Sequence, residues 1–342
     1  MYNMKHLWFE KGAYANKRAR HFVANDLEPN KIQRIAVIRH AALGDQVITR
    51  PFLIELRKFF PNATITLSVI SNYQYGMPSD LADRVHVTHG SDKKKDITFS
   101  QKINNFKELG DQDIIFDLAA TNRSYWLTKL TKAKLKIGFP YRPLVSKLLY
   151  DICVLRSDFT AEVETMLNML RILGHNPEQP LDFAYPDHRQ LHNKNSPYIV
   201  YFNGASQERK MYPFDKMRDT LIQASTELPE YRHIYLEGIN DNEKASFLGD
   251  LSAHQNIETQ AAMPLEKLST YLAKAAAVVC TDTGIRNFAI STHTPTIGIF
   301  YATVPFRYTP QVGNHHIVMT PDAQIPSPKQ VVTTIVKAIV DK

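Results

Sequence analysis

The chain has 342 residues, 44% hydrophobic and 22% charged, and a formal net charge of +7 at pH 7. This length allows two domains, and this composition excludes a largely disordered chain. The two cysteines, Cys153 and Cys280, form neither a CxxC pair nor a zinc-ligand spacing. The cysteines therefore indicate neither a disulfide framework nor a cysteine metal site, and they fit a reducing compartment.

No apolar run reaches the roughly 18–20 residues needed to span a bilayer. Residues 1–10 also lack the apolar core of a secretory signal. We therefore expect a cytoplasmic protein. Its positive charge predicts an anionic partner: nucleic acid, a phospholipid surface or a phosphorylated substrate.

The first half of the chain alternates apolar runs with helical periodicity. Ile32–Arg39 and Ala63–Ile70 are predicted strands, and Val47–Phe60 between them has the apolar spacing of a helix. Such a β-α-β unit builds a parallel sheet. The pattern continues with predicted strands Arg84–Thr88 and Asp113–Leu118 and predicted helices Asn122–Thr131 and Thr160–Leu173.

A second α/β series follows residues 175–196, which are rich in Pro, Asn and His and are predicted to link two domains. Its predicted strands are Tyr198–Phe202, His233–Leu236, Ala277–Cys280 and Thr296–Phe300, and its predicted helices are Pro213–Leu228, Asn240–Leu248, Leu265–Lys274, Ile285–Ser291 and Ser327–Val340. We expect two Rossmann-like parallel-sheet domains facing each other across a cleft, with ligands beyond the carboxyl ends of the strands.

The expected organisation has four parts: an extension at residues 1–30, a first domain at 31–178, a second domain at 179–326 and a C-terminal helix at 327–342 that crosses back to the first domain. The extension mixes aromatic and basic residues. It is either an arm packed on the first domain or a basic amphipathic segment lying on an anionic membrane surface.

A small-residue turn, Ala42-Leu43-Gly44-Asp45, separates the first predicted strand from its helix. Gly44 permits a tight turn. Asp45 then stands at the start of a helix, where it either caps the helix or serves as a general base in the cleft. The turn lacks GxGxxG, so a dinucleotide fingerprint is not supported.

Two loops of the second half are candidates for phosphate binding. Asp282-Thr283-Gly284 follows a predicted strand and opens a helix, so it either presents amides and a hydroxyl to a diphosphate or forms an ordinary cap. Asn203–Pro213 carries Arg209 and Lys210 between a strand and a helix, which suits a pyrophosphate leaving group. This loop lacks the GK[ST] ending of a P-loop, which argues against ATP hydrolysis.

These stretches resemble, in order, segments of the heptosyltransferase family, glycosyltransferase family 9. Ile35–Pro51 resembles its opening strand–turn–helix with a Leu-Gly-Asp turn. Asn203–Pro213 resembles its Gly-Ala-Ser-like loop, in which a lysine is followed closely by an aromatic–proline pair. Asp282–Thr296 resembles its Asp-Thr-Gly…Thr-Pro-Thr segment, and Phe300–Pro310 resembles the loop after it.

The resemblance implies a GT-B fold and inverting transfer of a heptose from ADP-heptose to the lipid A–core acceptor of lipopolysaccharide, on the cytoplasmic face of the inner membrane. Asp45 is then the general base, and Lys210 balances charge on the departing diphosphate. The other residues implied to bind the donor are Asn203, Gly204, Ser206, Glu243, Met263, Asp282, Thr283, Gly284 and Asn287. Among them Ser206, Thr283 and Gly284 are implied for the phosphates, Met263 for the adenine and Glu243 for the ribose.

The residues assigned to the acceptor are Gly44, Arg39, Arg50, Arg123 and Arg142, and for each arginine a solvated surface position is the alternative. No cofactor is expected, because the ADP-sugar is a substrate, and no metal ligand is assigned. The Asp111-Gln112-Asp113 triplet is predicted to be a turn that leads into a strand, rather than a metal motif.

Three departures from the family pattern leave the substrates open. Ala41 and Ala42 stand where the family usually has serines, and Asn287 stands where most members have a histidine. Asn287 motivates an alternative in which the same fold and mechanism use another sugar donor. His40 and Arg50 flank the turn and are unusual, which points to a different acceptor.

An alternative from another class is a non-catalytic binder of nucleic acid or of an anionic surface. The charge is spread along the chain and no recognition helix or RNA-binding signature is present, so no nucleic acid partner is expected.

Overall fold

The computed structural model describes residues 13–93, 97–140, 143–251 and 253–340. The chain forms two compact units, Met1–Phe183 and Ala184–Lys342. The sequence placed the boundary between residues 178 and 179. Residues 1–12 of the predicted extension lie outside the described residues, whereas residues 13–30 belong to the first unit.

The first unit is built on a seven-stranded sheet with the order β1-β7-β6-β5-β2-β3-β4. Its strands are β1 Tyr14–Ala15, β2 Arg34–Ile38, β3 Thr64–Ile70, β4 Arg84–Thr88, β5 Gln112–Asp117, β6 Ala133–Gly138 and β7 Ile152–Cys153. All its pairs are parallel except that of β1 with β7. Because β2 pairs with both β3 and β5, the strand order reverses there, and ligands of such sheets bind at the reversal.

The helices of the first unit are α1 Lys17–His21, α2 Leu43–Val47, α3 Arg50–Phe59, α4 Phe99–Lys107, α5 Asn122–Leu130, α6 Pro143–Leu149 and α7 Glu162–Arg171. A π-helical turn, Phe22–Asp26, continues α1. The helix predicted over Val47–Phe60 is confirmed over Arg50–Phe59, but it begins later than predicted, since α2 ends at Val47 and α3 begins at Arg50. Pro51 accounts for the break, because proline has no N–H to donate and its ring clashes with the carbonyl four residues earlier.

Two further predictions in the first unit are corrected. Gln112 and Asp113 lie within β5, so the turn predicted there covers too many residues. The sequence also gave no strand at β6, where Lys134 and Lys136 alternate with the buried Leu135 and Ile137. The Lys136 ammonium donates to the carbonyl of Thr128, which lets a lysine occupy this parallel strand.

The second unit has a six-stranded sheet, all parallel, with the order β10-β9-β8-β11-β12-β13. Its strands are β8 Tyr198–Phe202, β9 Arg232–Leu236, β10 Ile257–Gln260, β11 Ala277–Cys280, β12 Thr296–Ile299 and β13 His315–Val318. Its helices are α8 His188–Leu191, α9 Phe214–Glu227, α10 Leu265–Lys274, α11 Gly284–Ser291 and α12 Pro328–Val340. Here the strand order reverses between β8 and β11.

The helix predicted over Asn240–Leu248 is wrong. This stretch forms two short 3-10 turns, Asp241–Glu243 and Ala245–Leu248. The side chains of Asn240 and Glu243 cap each other's backbone amides, and Lys244 then takes an extended conformation that ends the first turn.

The last helix, α12, completes the core of the second unit. Its buried residues Val331, Val332, Ile335, Ala338 and Ile339 join the apolar cluster that includes residues of β8, β11 and β12. Ser327 precedes the helix, and its hydroxyl accepts a hydrogen bond from the amide of Gln330.

Replacing Ile335 by alanine should lower the free energy of unfolding by about 2–5 kcal/mol, because it removes buried methyl groups and leaves a cavity. Thr333→Ala on the exposed face of the same helix is the matched control and should cost less than about 1 kcal/mol. Urea unfolding followed by circular dichroism measures both. Equal midpoints for the two variants would contradict this assignment of the core.

Candidate functional site

The turn after β2 places Asp45 inside a helix. The N-cap of α2 is Ala42, which makes no side-chain cap, and Asp45 lies in the first turn of the helix. The interpretation of Asp45 as the N-cap is therefore wrong. Its carboxylate is 29% exposed and accepts a hydrogen bond of 2.8 Å from Nη2 of Arg39.

Arg39 connects the two loops at the reversal of the first sheet. Its side chain is 2% exposed, and Nη1 donates to the carbonyl of Leu118 at 2.7 Å and lies 3.5 Å from Glu162 Oε1. Glu162 in turn accepts from Arg156 at 2.6 Å. A buried guanidinium with these internal partners is not available to an acceptor, so the predicted acceptor role of Arg39 is corrected: it positions Asp45.

Arg50 is corrected for the same reason. It is 4% exposed, and its two terminal nitrogens donate to the two carboxylate oxygens of Asp80 at 2.8 and 2.6 Å. Its Nε donates to the carbonyl of Phe183. Gly44 is the second residue of α2, where its carbonyl accepts from the amide of Ile48. Both residues hold the turn in place.

Arg123 differs from the other predicted arginines. It lies in the first turn of α5, and its Nε is buried without a hydrogen-bond partner in the described part of the chain. Burial lowers the pKa of its guanidinium, and the nearby Asp92 opposes this shift. Arg142, the fourth predicted arginine, lies outside the described residues.

His40 lies in the turn after β2, close enough to Arg123 of α5 for the two side chains to interact electrostatically. It is buried, with Nε2 at 3.4 Å from Ser68 Oγ and 3.3 Å from Thr88 Oγ1, while Nδ1 has no partner among the described residues. Burial, and then the positive charge of Arg123, lower its pKa to about 3. The imidazole is therefore neutral at physiological pH.

Sequence reasoning missed Asp117, which ends β5 at the reversal. One carboxylate oxygen accepts from the amides of Ala119 and Ala120, at 2.9 and 3.1 Å, and the other accepts from the Tyr150 hydroxyl. Burial raises the pKa of Asp117. Ala120 has a φ of +50°, a strained left-handed conformation that these bonds hold. The sequence signal that could have identified Asp117 is an aspartate at the end of an apolar run.

In the second unit, the loops after β8 and β11 meet through an ion pair. Lys210 Nζ donates to Asp282 Oδ2 at 2.7 Å, and each side chain is 17% exposed. Tyr301, after β12, also donates its hydroxyl to the carbonyl of Met211. The structure therefore brings together the two loops that the sequence proposed for phosphate binding.

The loop after β8 is closed by Asn203 rather than by a ligand. Asn203 is buried; its Nδ2 donates to the carbonyl of Tyr212 at 2.7 Å, and its Oδ1 accepts from the amide of Tyr212 at 2.9 Å. Both polar atoms of this amide are occupied, so its predicted donor contact is corrected to a role in shaping the loop. Ser206, three residues later, is exposed.

Glu243 lies against two glycines at the ends of β8 and β9. A Cβ added to Gly204 would meet Glu243 Oε1 at 2.5 Å, and one added to Gly238 would meet Oε2 at 2.0 Å. Both positions therefore need glycine for this carboxylate to fit. Met263, half-buried, lies between β10 and α10.

Helix α11 begins directly after Asp282. Its N-cap is Thr283, whose side chain makes no capping bond, and Gly284 is its first residue. Asn287 is buried in the first turns of the helix. The backbone amides of the N-terminal turn and the helix dipole make this end suited to an anion, as the phosphate interpretation of the sequence requires.

Arg286 is a second residue whose importance sequence reasoning missed. It is fully buried, donates from Nη1 to the carbonyl of Tyr308 at 2.8 Å, and packs on the ring of Phe300. Its Nε and Nη2, and the buried hydroxyl of Thr281, have no partner within the described residues. Burial lowers the pKa of the guanidinium, whereas Cys280 and Asp282 oppose this shift.

The sequence of this chain matches a known family. A model of glycosyltransferase family 9 (heptosyltransferase) matches residues 103–339, which is more than half of the chain. The chain belongs to glycosyltransferase family 9. Lipopolysaccharide heptosyltransferase 1 of Campylobacter coli is 24% identical over 296 residues, which cover 80% of this chain and 85% of that protein.

Solved structures of similar fold include members of the same family. E. coli heptosyltransferase WaaC with ADP has a TM-score of 0.70 at 20% identity, covering 90% of this chain and 99% of that chain. The family 9 glycosyl transferase of Veillonella parvula has a TM-score of 0.69 at 17% identity, covering 92% and 99%. The predictions of the family, the GT-B fold class and a glycosyltransferase are confirmed.

The described residues contain no group of three or more His, Cys, Asp or Glu side chains arranged to hold a metal ion. None of the helices within them is long and apolar enough to cross a bilayer.

The buried His40 should make folding stability depend on pH. Its pKa is about 3 in the folded protein, against about 6.5 for an exposed histidine. Between these values the unfolded chain binds a proton that the folded chain does not, so stability falls as the pH drops below about 6.5. We expect a contribution of about 1 kcal/mol per pH unit from this residue.

Urea unfolding of the unmodified protein and of His40→Gln between pH 4.5 and 7 measures this contribution. The variant should lose that part of the slope, whereas His21→Gln, at an exposed position, should keep it. Equal slopes for the unmodified protein and His40→Gln would contradict the buried, neutral state of His40.

Proposed function

We propose that this family 9 glycosyltransferase moves a heptose from ADP-heptose to the inner core of lipopolysaccharide, with inversion at the sugar. The names of similar proteins support the substrates: one is a lipopolysaccharide heptosyltransferase, and another is a heptosyltransferase with ADP bound. The observation that carries the proposal is the ion pair of Lys210 and Asp282 at the N-terminus of α11.

The donor diphosphate binds at this end of α11. The backbone amides of Thr283 and Gly284 at the N-terminus of α11, the Ser206 hydroxyl and the Lys210 ammonium are donors that suit phosphate oxygens. Asp282 holds Lys210 in place and balances its charge in the free enzyme. The buried guanidinium of Arg286, two nitrogens of which have no partner among the described residues, adds positive charge to this region.

The rest of the nucleotide uses the neighbouring loops. Glu243 accepts hydrogen bonds from the ribose hydroxyls, because its carboxylate reaches the ends of β8 and β9. Met263 packs on the adenine, since a thioether makes favourable contacts with aromatic rings. The diphosphate leaves with the electron pair of the broken glycosidic bond, and Lys210 stabilises its charge.

Asp45 is the general base of the transfer. Its partly exposed carboxylate takes the proton of the acceptor hydroxyl while that oxygen forms the new bond to the anomeric carbon. Arg39 fixes its orientation from the buried side, and Glu162 and Arg156 fix Arg39. The phosphates and acidic sugars of the lipid A–core acceptor bind Arg123, and also Arg142, at a membrane surface.

Replacing Asp45 by asparagine should reduce turnover by about 10²–10⁴-fold, because an amide cannot accept the proton. The binding of ADP should change less than twofold. ADP release from ADP-heptose with a core acceptor measures turnover, and calorimetry measures binding. Asp111→Asn, at an exposed position of the same unit, is the control and should retain full activity. Full activity of Asp45→Asn would refute the base role.

Replacing Lys210 by glutamine should lower kcat by about 10²-fold, because the charge that stabilises the leaving diphosphate is removed. It should also weaken ADP binding. The neighbouring cation offers a matched control: Arg209 is exposed and donates to Gln207 and to the carbonyl of Ala302. Arg209→Gln should change both quantities by less than threefold. Equal losses in the two variants would show a general charge effect instead.

A second candidate donor is favoured by Asn287. This residue occupies the first turns of α11, beside the proposed phosphate site, and it differs from the family histidine. The fold and mechanism then stay the same while the sugar nucleotide changes. Thermal shift with a panel of ADP-, UDP- and GDP-sugars separates the two candidates, and selective stabilisation by a donor other than ADP-heptose would favour the second.

A further inference from the structure

The first described segment, residues 13–26, forms an edge strand and a helical turn that are tied to the first sheet. Strand β1 pairs with β7, so that Tyr14 lies opposite Cys153. The Tyr14 hydroxyl lies 2.7 Å from the carbonyl oxygen of Ser146 and 2.6 Å from that of Tyr150. Asn16 caps α1 by accepting from the amide of Ala19 at 2.7 Å. The segment is therefore an ordered part of this unit.

A partly open cavity of about 650 Å³ lies between this segment, β7 and the end of α7. Its volume is in the range of cavities that hold small-molecule ligands, about 300–1,000 Å³. Its walls are mainly apolar and include Ala19, Val23, Ile152, Val154, Leu155 and Ile172. Among the described residues, the charged side chains of the lining are two arginines, Arg20 and Arg171.

The positive charge around this cavity is only partly neutralised. Arg171 is bonded to Glu164 and Asn168, at 2.7 Å in each case. Arg20 is exposed, as is Lys17 one helical turn before it, and neither forms an ion pair with a residue that the structure describes. Arg18 donates to the carbonyl of Lys134 and lies 3.9 Å from Asp151. An exposed arginine, Arg20, which has no ion pair within the described part of the chain, therefore lines an apolar cavity.

Large apolar side chains are also exposed here. Leu155 and Ile172, which line the cavity, are 42% and 40% exposed, and Phe159, which follows Leu155 closely in sequence, is 54% exposed. An exposed apolar patch marks a site of interaction. The combination of apolar surface with lysine and arginine is typical of segments that lie in the interface of an anionic bilayer.

We propose that this cavity binds one acyl chain of an anionic phospholipid, with the lipid phosphate at Arg20. Charge complementarity selects this occupant: a nucleic acid would leave the apolar walls unused, and a neutral apolar ligand would leave the arginine unpaired. The site docks the first unit on a bilayer. Strand β1 and α1 precede the family match at residues 103–339, and the proposal does not depend on the identity of the sugar donor.

Sedimentation with vesicles tests the apolar part of the site. The full chain should bind vesicles of equal phosphatidylglycerol and phosphatidylcholine, and bind pure phosphatidylcholine at least tenfold more weakly. Leu155→Glu and Ile172→Glu place a carboxylate in the cavity wall at half-exposed positions, and each should weaken binding at least tenfold. The matched control is Val312→Glu, at a 63% exposed position in the second unit, which should bind normally.

The charge is tested at an exposed position that does not affect folding. Arg20→Glu should weaken binding to the anionic vesicles, and Lys107→Glu, an equal charge change on exposed α4, should not. Native mass spectrometry of the unmodified protein after incubation with phosphatidylglycerol should show one lipid per chain, and Ile172→Glu should show none. Normal vesicle binding by both cavity variants would overturn the proposal, as would equal binding to neutral and anionic vesicles.

Discussion

The reversal of strand order in each parallel sheet is the constraint on which the rest of the structure depends. In each sheet the chain passes from a central strand, β2 or β8, to one side and then returns to pair on the other side of that strand. Within each sheet, the two loops at the reversal therefore lie side by side at the carboxyl edge, and no connection covers them. They follow β2 and β5 in the first sheet and β8 and β11 in the second. Asp45, Lys210 and Asp282 lie in the segments that follow these strands, and Asp117 ends β5.

Buried arginines give these loops their shape. Burying a guanidinium is costly unless acceptors surround it. For Arg39, hydrogen bonds to Leu118, Asp45 and Glu162 offset this cost. These bonds also join the two loops of the first sheet. Arg286 in the second unit keeps two nitrogens without partners in the described residues, although it is fully buried. Such unsatisfied donors are rare in proteins, where buried polar groups are paired with protein, water or an ion.

Much of the fold could be predicted from the sequence, because apolar runs and helical spacing report local burial. Strands β4 and β8 and helix α10 have the predicted bounds. The elements that were missed or wrongly predicted have physical causes that hydrophobic periodicity does not report. Lysines alternate with apolar residues in β6, where Thr128 provides an acceptor. The predicted helix over Asn240–Leu248 gives way to 3-10 turns because a mutual side-chain cap closes after one turn.

The sequence by itself determined the two α/β series, the family and the loops that carry Asp45, Lys210 and Asp282, because those depend on local residue types in order. Only the tertiary structure decided which charged side chains near those loops are buried and paired within the protein. From the sequence, Arg39 and Arg50 were predicted to be cations exposed to an acceptor or to solvent. Both are instead buried among hydrogen-bond acceptors supplied by distant parts of the chain. Burial and partner identity depend on packing between elements far apart in sequence, which no local pattern records.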